Sequence, residues 1–318
     1  MTVEETRRRL GRFGVWIAPP TLLKTPVSVQ REQFARVERL GYGSLWSGEP
    51  PAGSPGAGRE VFTQHAVMLA ATERIVVGTG VANIRTRDPL ATHGGAATLA
   101  EAYPGRFVLG LGGHGGDRPL RVLRDYLEAM ETAAATVLPE IDYPRVLAAL
   151  GPQAHRLAVN RTDGVHPFLQ PVEHTAIARE QLGPDKLLIP HQAVVLDTDP
   201  GSARTRMRAL TPARFRDVET PYTVNYRRLG YGDDDLTGER SDRLIDAILA
   251  WGDETTVATR LNAHLEAGAD HVLVHPLTAD LVSAVDQLEH LAPQLTTHPG
   301  APGTSPPSRA SGGGARRT

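Results

Sequence analysis

The sequence predicts a (β/α)8 barrel, an α/β fold, with an insertion between its seventh and eighth strands. From residue 12 onward, short apolar runs alternate with longer helical patterns, which indicates repeated βα units and a parallel sheet. Eight such apolar runs occur, and eight is the number of strands that closes a barrel. A length of 318 residues suits a barrel of about 250 residues with added segments.

The eight predicted strands are nearly continuous in their apolar character, which is typical of strands covered on both faces. They are FGVWIA (13–18), SLWSG (44–48), IVVGTG (75–80), FVLGLG (107–112), RVLAAL (145–150), DGVHPF (163–168), IPHQAVVL (189–196) and HVLVH (271–275). Helices are predicted between them. The first follows the pattern from Ser28 to Leu40, with Phe34 and Val37 facing inward and Gly41 ending the helix.

The gap between strands 7 and 8 is too long for one crossover helix, so we expect an insertion at about residues 212–252. An amphipathic helix through Leu244, Ile248 and Leu249 is predicted near its end. The barrel itself is expected over residues 12–296, after an N-terminal extension of residues 1–11. Residues 297–318 are rich in Pro, Gly and Ser and are expected to be disordered.

Composition excludes several classes of partner and site. The chain has 34 basic and 36 acidic residues and a net charge of -2, which does not favour nucleic acid or an anionic membrane. With 0 Cys there is no disulfide framework, thiolate nucleophile or cysteine metal site. No apolar run has the length of a signal peptide core or a membrane span, so we expect a cytoplasmic protein with a small-molecule substrate.

The stretch RFVLGLGGHGG contains Gly110, Gly112 and Gly115 in the spacing G-x-G-x-x-G, which is found in dinucleotide-binding folds. That interpretation requires an acidic residue about 20 positions further on, at the end of a second strand. The nearest candidate, Glu131, lies within a helical pattern. We therefore regard the spacing as accidental, and expect only that the glycines allow something to approach the backbone closely.

Active sites of (β/α)8 barrels lie at the carboxyl ends of the strands, so polar and aromatic residues there are the candidates for chemistry. The residues at predicted strand ends are Trp16, Glu49, Asn83, His114, His166 and His275. A neutral imidazole can donate or accept a proton near neutral pH, which makes the histidines candidates for proton transfer. The helical histidines His65, His93, His155, His174 and His264 are expected to be solvated.

Other chemistries lack their residues at these strand ends. No lysine stands there to form a Schiff base, and no pair of carboxylates follows strands 4 and 7. No H-E-x-x-H or similar metal-ligand spacing occurs, so no catalytic metal is expected. The catalyst is therefore expected to be a bound cofactor.

Five segments, in order along the chain, resemble the luciferase-like monooxygenase superfamily, and in particular its actinobacterial coenzyme F420-dependent oxidoreductases. These segments are GYGSLWSGEP (41–50), TERIVVGTGVANIRTRDP (72–89), YPGRFVLGLGGHG (103–115), RTDGVHPFLQPVEHTAIAREQLGPDK (161–186) and HLEAGADHVLVHPL (264–277). The resemblance implies a barrel that binds a flavin or the deazaflavin F420 in its mouth.

The resemblance also implies roles for individual residues. A non-prolyl cis peptide behind the cofactor ring falls on Gly80 and Val81, with Asn83 near the ring. Glu49 matches an acidic position that contacts the cofactor, and residues 162–164 match a loop that meets its phosphate tail. The residues of this loop are Thr162, Asp163 and Gly164. Trp16 and Gly112, at the ends of strands 1 and 4, complete the predicted cofactor contacts.

Pro50 stands where sugar-phosphate and alcohol dehydrogenases of the F420 group have a histidine. Proton transfer is therefore assigned to His114, with His166 as the substitute. The expected function is hydride transfer between F420 and a small organic substrate. An FMN-dependent monooxygenase that uses reduced flavin and oxygen is one alternative, and a barrel that binds flavin without turnover is another.

The middle of the insertion predicts a mobile lid over the mouth. Tyr222, Asn225, Tyr226 and Arg228 offer stacking surface and an anion clamp, and glycines follow at 230–238. Tyrosine and arginine at helical spacing also suit a contact between two copies of the chain, so a homodimer is the alternative role for this segment.

Overall fold

Parallel strands form a closed ring in the computed structural model, which describes residues 1–49, 58–113, 116–136, 141–210 and 219–296. The strands are β1 (Phe13–Trp16), β2 (Ser44–Ser47), β3 (Val76–Thr79), β4 (Ala82–Asn83), β5 (Phe107–Gly112), β6 (Arg145–Leu147), β7 (Gly164–Val165), β8 (Leu187–Leu188), β9 (His191–Leu196), β10 (Leu249–Gly252) and β11 (Val272–Pro276).

Helices follow the strands along the chain, as the sequence predicts. They are α1 (Val3–Leu10), α2 (Pro19–Lys24), α3 (Val27–Arg39), α4 (Val61–Ala70), α5 (Pro89–Ala102), α6 (Pro119–Thr136), α7 (Pro152–Arg161), α8 (Val172–Leu182), α9 (Pro200–Ala209), α10 (Pro221–Arg228), α11 (Asp233–Leu236), α12 (Asp242–Ile248), α13 (Glu254–Glu266) and α14 (Leu281–Leu295). Within the described parts of the chain, none of these helices has both the length and the apolar composition needed to cross a bilayer.

The ring closes through the seventh barrel strand, which the structure divides into β8 and β9 around Ile189 and Pro190. β8 pairs with β7, and β9 pairs with β11. β11 pairs with β1, which continues through β2, β3, β5 and β6 back to β7. All these pairings are parallel, so the predicted (β/α)8 barrel and its eight strand positions are confirmed.

The insertion between strands 7 and 8 is also confirmed, but it contains a strand that the sequence analysis missed. α12 ends at Ile248, and Leu249 begins β10, which adds to the outer edge of β9 with Leu249 opposite Ala193. The predicted helix through Leu249 is therefore wrong at its end. An apolar cluster packs the insertion against the barrel, and it includes Tyr226 and Leu244 of the insertion and Val195 of β9. Sheet hydrogen bonds between β10 and β9 also join the insertion to the barrel.

The barrel interior is lined with glycine on one side and filled by large rings from the other strands. A Cβ on Gly78 would lie 2.4 Å from the ring of Trp46, and one on Gly14 would lie 2.0 Å from the Ser44 hydroxyl. Trp46 is fully buried and donates its ring N–H to Ser44 at 2.8 Å. The larger apolar cluster lies outside the ring, between the strands and the helices.

Helix α1 covers the end of the barrel where the strands begin. Its last residue, Leu10, is fully buried against the interior cluster, and a Cβ on Gly43 would lie 1.8 Å from the Leu10 carbonyl oxygen. Asp270, just before β11, accepts hydrogen bonds from Arg7 of α1 and from Arg179 of α8, each at 2.7 Å. This ion-pair cluster holds the helix to the amino-terminal ends of the strands.

The helical histidines are buried, so the expectation that they are solvated is wrong. His65, His93, His155, His174 and His264 are each at most 5% exposed. His264 is a clear example, because its ring lies 2.7 Å from the Thr175 hydroxyl and 2.9 Å from the amide oxygen of Gln192. In each of these rings, at least one nitrogen lies within hydrogen-bond distance of a group outside its own helix.

Burial lowers the pKa of these histidines, and the stability of the fold should depend on pH as a result. The pKa is about 4 for His174 and about 3 for His264, below the ordinary 6.5, because desolvation disfavours the imidazolium. The unfolded chain therefore binds more protons between these values. We expect the free energy of unfolding to fall as the pH falls from about 6.5 to about 4.

His264→Gln should reduce this pH dependence by about 1.4 kcal/mol per pH unit, because one proton fewer is taken up on unfolding. Urea unfolding at a series of pH values measures the slope. His290→Gln is the matched control, since the His290 side chain is 68% exposed and its variant should keep the wild-type slope. An unchanged slope in His264→Gln would mean that His264 already binds a proton in the folded state.

Candidate active site

The carboxyl ends of β1, β2, β3 and β5 are joined by direct contacts around the mouth of the barrel. Trp16 donates its ring N–H to the carbonyl oxygen of Gly80 at 3.0 Å. The backbone N–H of Glu49 donates to Val81 at 3.0 Å, and the N–H of Asn83 donates to the Glu49 carboxylate at 2.8 Å. The structure thus brings together most of the predicted cofactor residues.

The peptide between Gly80 and Val81 is cis, as the resemblance implies. It interrupts the third barrel strand, with β3 ending before it and β4 beginning after it. The neighbouring strand meets this peptide at Gly48, where a Cβ would lie 2.3 Å from the Gly80 carbonyl oxygen. Only glycine fits at Gly48 with this backbone arrangement.

Glu49 is held by a buried ion pair with Arg87, a residue that the sequence analysis did not identify. Arg87 donates to both carboxylate oxygens, at 2.7 Å in one contact and in a second short contact. The two side chains are 7% and 12% exposed. Arg87 also contacts Glu60 at 3.0 Å and lies over the ring of Phe62. Glu49 therefore organises the loop around Asn83 rather than offering a free carboxylate to the mouth.

An apolar surface follows the predicted contact residue Gly112 at the end of β5. A Cβ on Gly112 would lie 2.6 Å from Val81 and 2.9 Å from Ala148. Val81 and Ala148 are both partly exposed, as is Phe168 after β7. All three residues come after barrel strands, at the end of the barrel away from α1.

His166 lies in the interior at this end of the barrel. Its Nδ1 donates to the carbonyl oxygen of Ile189 at 2.8 Å, and its Nε2 is buried without a hydrogen-bond partner among the described residues. A Cβ on Gly80 would lie 3.1 Å from this Nε2. Burial lowers the pKa of His166 to about 4, so the ring is neutral at neutral pH and Nε2 carries a lone pair.

Two further histidines pack beside His166. His191 on β9 and His275 on β11 share a hydrogen bond between Nε2 of His191 and Nδ1 of His275 at 2.8 Å. Phe168 stacks on His191 with ring centroids 3.7 Å apart, and Trp16 meets the edge of His275 at 4.5 Å. The predicted strand-end residue His275 therefore has a partner that its position in the sequence did not reveal.

The structure places the predicted phosphate-tail residues away from this site. Thr162 and Asp163 come before β7 and Gly164 begins it, so all three lie beside the amino-terminal ends of β6 and β8. The Asp163 carboxylate accepts the backbone N–H of Arg145, and the carbonyl oxygen of Thr162 accepts from Lys186. Because these residues lie at the end of the barrel opposite Gly112, they do not join the mouth.

His114 and Pro50 lie outside the residues that the structure describes, so the assignment of proton transfer to His114 stays a sequence prediction. The same holds for the predicted disorder of residues 297–318. Arg87 could have been proposed from the sequence. It lies in the segment IRTRDP, which directly follows Asn83 at the same strand end.

Helix α10 of the insertion lies against the loop after β7. Asn225 donates to Gln170 at 2.7 Å, and the Tyr226 hydroxyl donates to the Leu169 carbonyl oxygen at 2.6 Å. Both side chains are at most 3% exposed, so they face the barrel and the core of the insertion rather than open space. Tyr222 is partly buried in the same cluster. Arg228 is exposed and approaches Gly151 after β6.

The chain matches a family model described as luciferase-like monooxygenase over residues 11–271. This match covers more than half of the chain and includes every barrel strand up to the start of β11.

Solved structures of similar fold include enzymes that use different cofactors. An F420-dependent secondary alcohol dehydrogenase in complex with an F420-acetone adduct is 16% identical, with a TM-score of 0.68, and the match covers 90% of this chain and 99% of that one. The F420-dependent tetrahydromethanopterin reductase from Methanopyrus kandleri is 17% identical, with a TM-score of 0.67 and the same two coverages. EDTA monooxygenase from Chelativorans sp. BNC1 is 13% identical, with a TM-score of 0.69, covering 90% of this chain and 93% of that one. At these identities the similarity concerns the fold.

Removing one partner of the Glu49 and Arg87 pair should destabilise the protein, because the other charge is left buried. We expect Arg87→Gln to lower the free energy of unfolding by about 3 kcal/mol. The double variant Glu49→Gln with Arg87→Gln should recover much of that loss, since no unpaired buried charge remains. Urea unfolding at neutral pH measures both.

Arg206→Gln is the control for this pair. Arg206 is 46% exposed and lies 3.7 Å from Asp197, so its loss should cost no more than about 0.5 kcal/mol. A double variant less stable than Arg87→Gln alone would contradict the importance of the buried charge.

Proposed function

The chain belongs to the luciferase-like monooxygenase family, and from this we propose that it is an oxidoreductase that transfers a hydride between coenzyme F420 and a small organic substrate. The F420-dependent structures of similar fold support this proposal. The sequence segments that resemble the F420-dependent oxidoreductases point the same way.

The observation that carries the proposal is a set of partly exposed apolar residues that follow three barrel strands, beside polar contacts that fix the surrounding backbone. Val81, Ala148 and Phe168 are partly exposed there, and a buried lone pair on Nε2 of His166 lies close to Gly80. Ligand sites are mostly apolar with a few placed polar groups. These residues would offer apolar contacts to a flat tricyclic ring, and the nearby polar groups would contact its edges.

The residues of the chain would position the cofactor rather than react with it. The deazaflavin, when bound, supplies the carbon that gives or receives the hydride. Trp16 and Glu49 hold the backbone at Gly80 and Val81 through their hydrogen bonds, and Arg87 keeps Glu49 in place. Helix α10, docked on the loop after β7, is proposed to limit water access on the substrate side. A homodimer formed through this segment is a second proposal.

The second candidate function is an FMN-dependent monooxygenase. EDTA monooxygenase and an FMN complex of a Baeyer–Villiger monooxygenase from Pseudomonas putida share the fold. Deazaflavin lacks the ring nitrogen that gives flavin its oxygen chemistry, so the two functions differ in their use of oxygen. A barrel that binds flavin without turnover is the third candidate.

A binding titration of F420 and FMN side by side tests the proposal, followed by assay of the loaded protein. We expect F420 to bind more tightly than FMN, and the loaded protein to reduce F420 with a member of a panel of primary and secondary alcohols. Oxygen uptake with reduced FMN would favour the monooxygenase. Binding of either cofactor without turnover of any kind would favour the non-catalytic reading.

Ala148→Leu should weaken F420 binding at least about tenfold, because the larger side chain fills the partly exposed position beside Gly112. The fluorescence of bound F420 measures the affinity, and the thermal midpoint shows whether the fold is intact. Ala129→Leu on the exposed side of α6 is the matched control and should bind as the wild type does. Unchanged affinity in Ala148→Leu would place the cofactor elsewhere.

A further inference from the structure

Four of the histidines that the structure describes lie inside the barrel, and their ring nitrogens differ in what they contact. His271, near the end covered by α1, is bonded on both sides, to Ser44 at 2.6 Å and to the Gly11 carbonyl oxygen at 2.9 Å. His166 and His191 each have one nitrogen that is fully buried and without a partner among the residues described. The fourth, His275, is different.

His275 has one ring nitrogen that is neither hydrogen-bonded nor fully buried. Its Nδ1 is bonded to His191, and within the described structure its Nε2 has no hydrogen-bond partner. Nε2 is not one of the fully buried unpaired atoms, and the residue is 5% exposed, the largest value of the four. His275 lies in the carboxyl-terminal half of β11, the half nearer the mouth.

The surroundings of the pair hold both rings in one orientation. Phe168 stacks on His191, and Trp16 meets the rings of His191 and His275 at 5.3 Å and 4.5 Å. Trp16 is itself fixed by its hydrogen bond to Gly80, a residue of the proposed cofactor site. The His275 ring therefore cannot turn without disturbing packed aromatic neighbours.

We propose that His275 is the residue that takes the hydroxyl proton of an alcohol substrate, and that His191 is the positioning residue that holds it. The inference rests on the proposed function, because it applies to hydride transfer from an alcohol carbon. It extends that function by naming the residue that would take the proton and the residue that would hold it.

The step is balanced as follows. The alcohol C–H bond breaks, and its hydrogen leaves with both electrons to the bound deazaflavin. The O–H bond breaks, its proton passes to Nε2 of His275, and the carbon–oxygen double bond forms. His275 then donates Nδ1–H to the Nε2 lone pair of His191, which stabilises the imidazolium. In the reverse direction, His275 returns the proton to the reduced oxygen.

Both rings are neutral before this step. Burial lowers the pKa of His275 to about 3 and that of His191 well below its ordinary value. The other titratable groups that act on the pair are His166 and His264, and burial keeps each of these neutral as well. The low pKa makes His275 a weak acceptor by itself, so proton uptake would depend on the hydrogen bond that His191 accepts from Nδ1.

The experiment has one arm without cofactor and one with it. In the cofactor-free protein labelled with 15N-histidine, long-range proton–nitrogen spectra report the ring tautomers. We expect a strongly shifted shared proton in the wild type, which disappears in His275→Gln and in His191→Leu. His155→Gln is the control, a buried histidine on α7 outside the barrel, and should keep the signal. Independent, unbonded nitrogens in His191 and His275 would overturn the pairing.

In the F420-loaded protein, the alcohol panel gives the catalytic readout. His275→Gln should lower kcat about 100-fold or more with the F420 affinity within about threefold. His191→Leu should shift the acidic limb of kcat/KM to lower pH, because the imidazolium loses its acceptor, whereas His191→Gln retains an acceptor oxygen and should largely restore the limb.

Near-normal kcat in His275→Gln would overturn the catalytic role, even if the shared proton is present in the first arm. An unmoved acidic limb in His191→Leu would overturn the positioning role. Failure of the wild type to bind F420, or to oxidise any alcohol while using FMN and oxygen, would instead overturn the proposed function. The first arm reports on the histidine pair in either case.

Discussion

The glycines on the inner side of the barrel are the constraint on which the rest of the structure depends. Gly78 and Gly48 stand where a Cβ would collide with the Trp46 ring or with the Gly80 carbonyl oxygen. Because these positions carry no side chain, the Trp46 ring can lie against β3 and the Trp16 ring can reach the Gly80 carbonyl oxygen. Those rings in turn determine where the interior histidines fit, and so shape the floor of the mouth.

The barrel interior contains polar side chains, and hydrogen bonds between them offset the free-energy cost of burying them. Trp46, Ser44 and His271 form a chain in which each donor has an acceptor, ending on the Gly11 carbonyl oxygen. Buried polar groups are tolerated when they are hydrogen-bonded. The pairing is incomplete at the other end, where His166 and His191 keep unpaired nitrogens. Hydrogen bonding of the interior polar groups is thus complete where the barrel is covered and incomplete toward the mouth. Such a difference is typical of a site adapted to hold a ligand.

The strands could be predicted from the sequence, but the partners of polar side chains could not. Continuous apolar runs identify barrel strands because both faces are covered, whereas the four residues of β10 follow a helix directly and offer no turn to mark them. His264 was assigned to solvent because its partners, Thr175 and Gln192, are distant in sequence. Thr162, Asp163 and Gly164 match a phosphate-tail loop by resemblance, although they lie at the start of β7 and so at the opposite end of the barrel from Gly112. Family resemblance located Gly80 and Val81 correctly, because there the strand end and the motif coincide.

Helix α1 has a consequence for the order of events during turnover. With Leu10 filling the amino-terminal end of the ring, the barrel has a blocked end and an open one, and Arg7 and Arg179 fasten the blocked end to Asp270. If the proposed cofactor and substrate both enter at the open end, they cannot exchange independently. The one that sits deeper would arrive first and depart last, so the closure of one end of the barrel would fix the order of binding at the other.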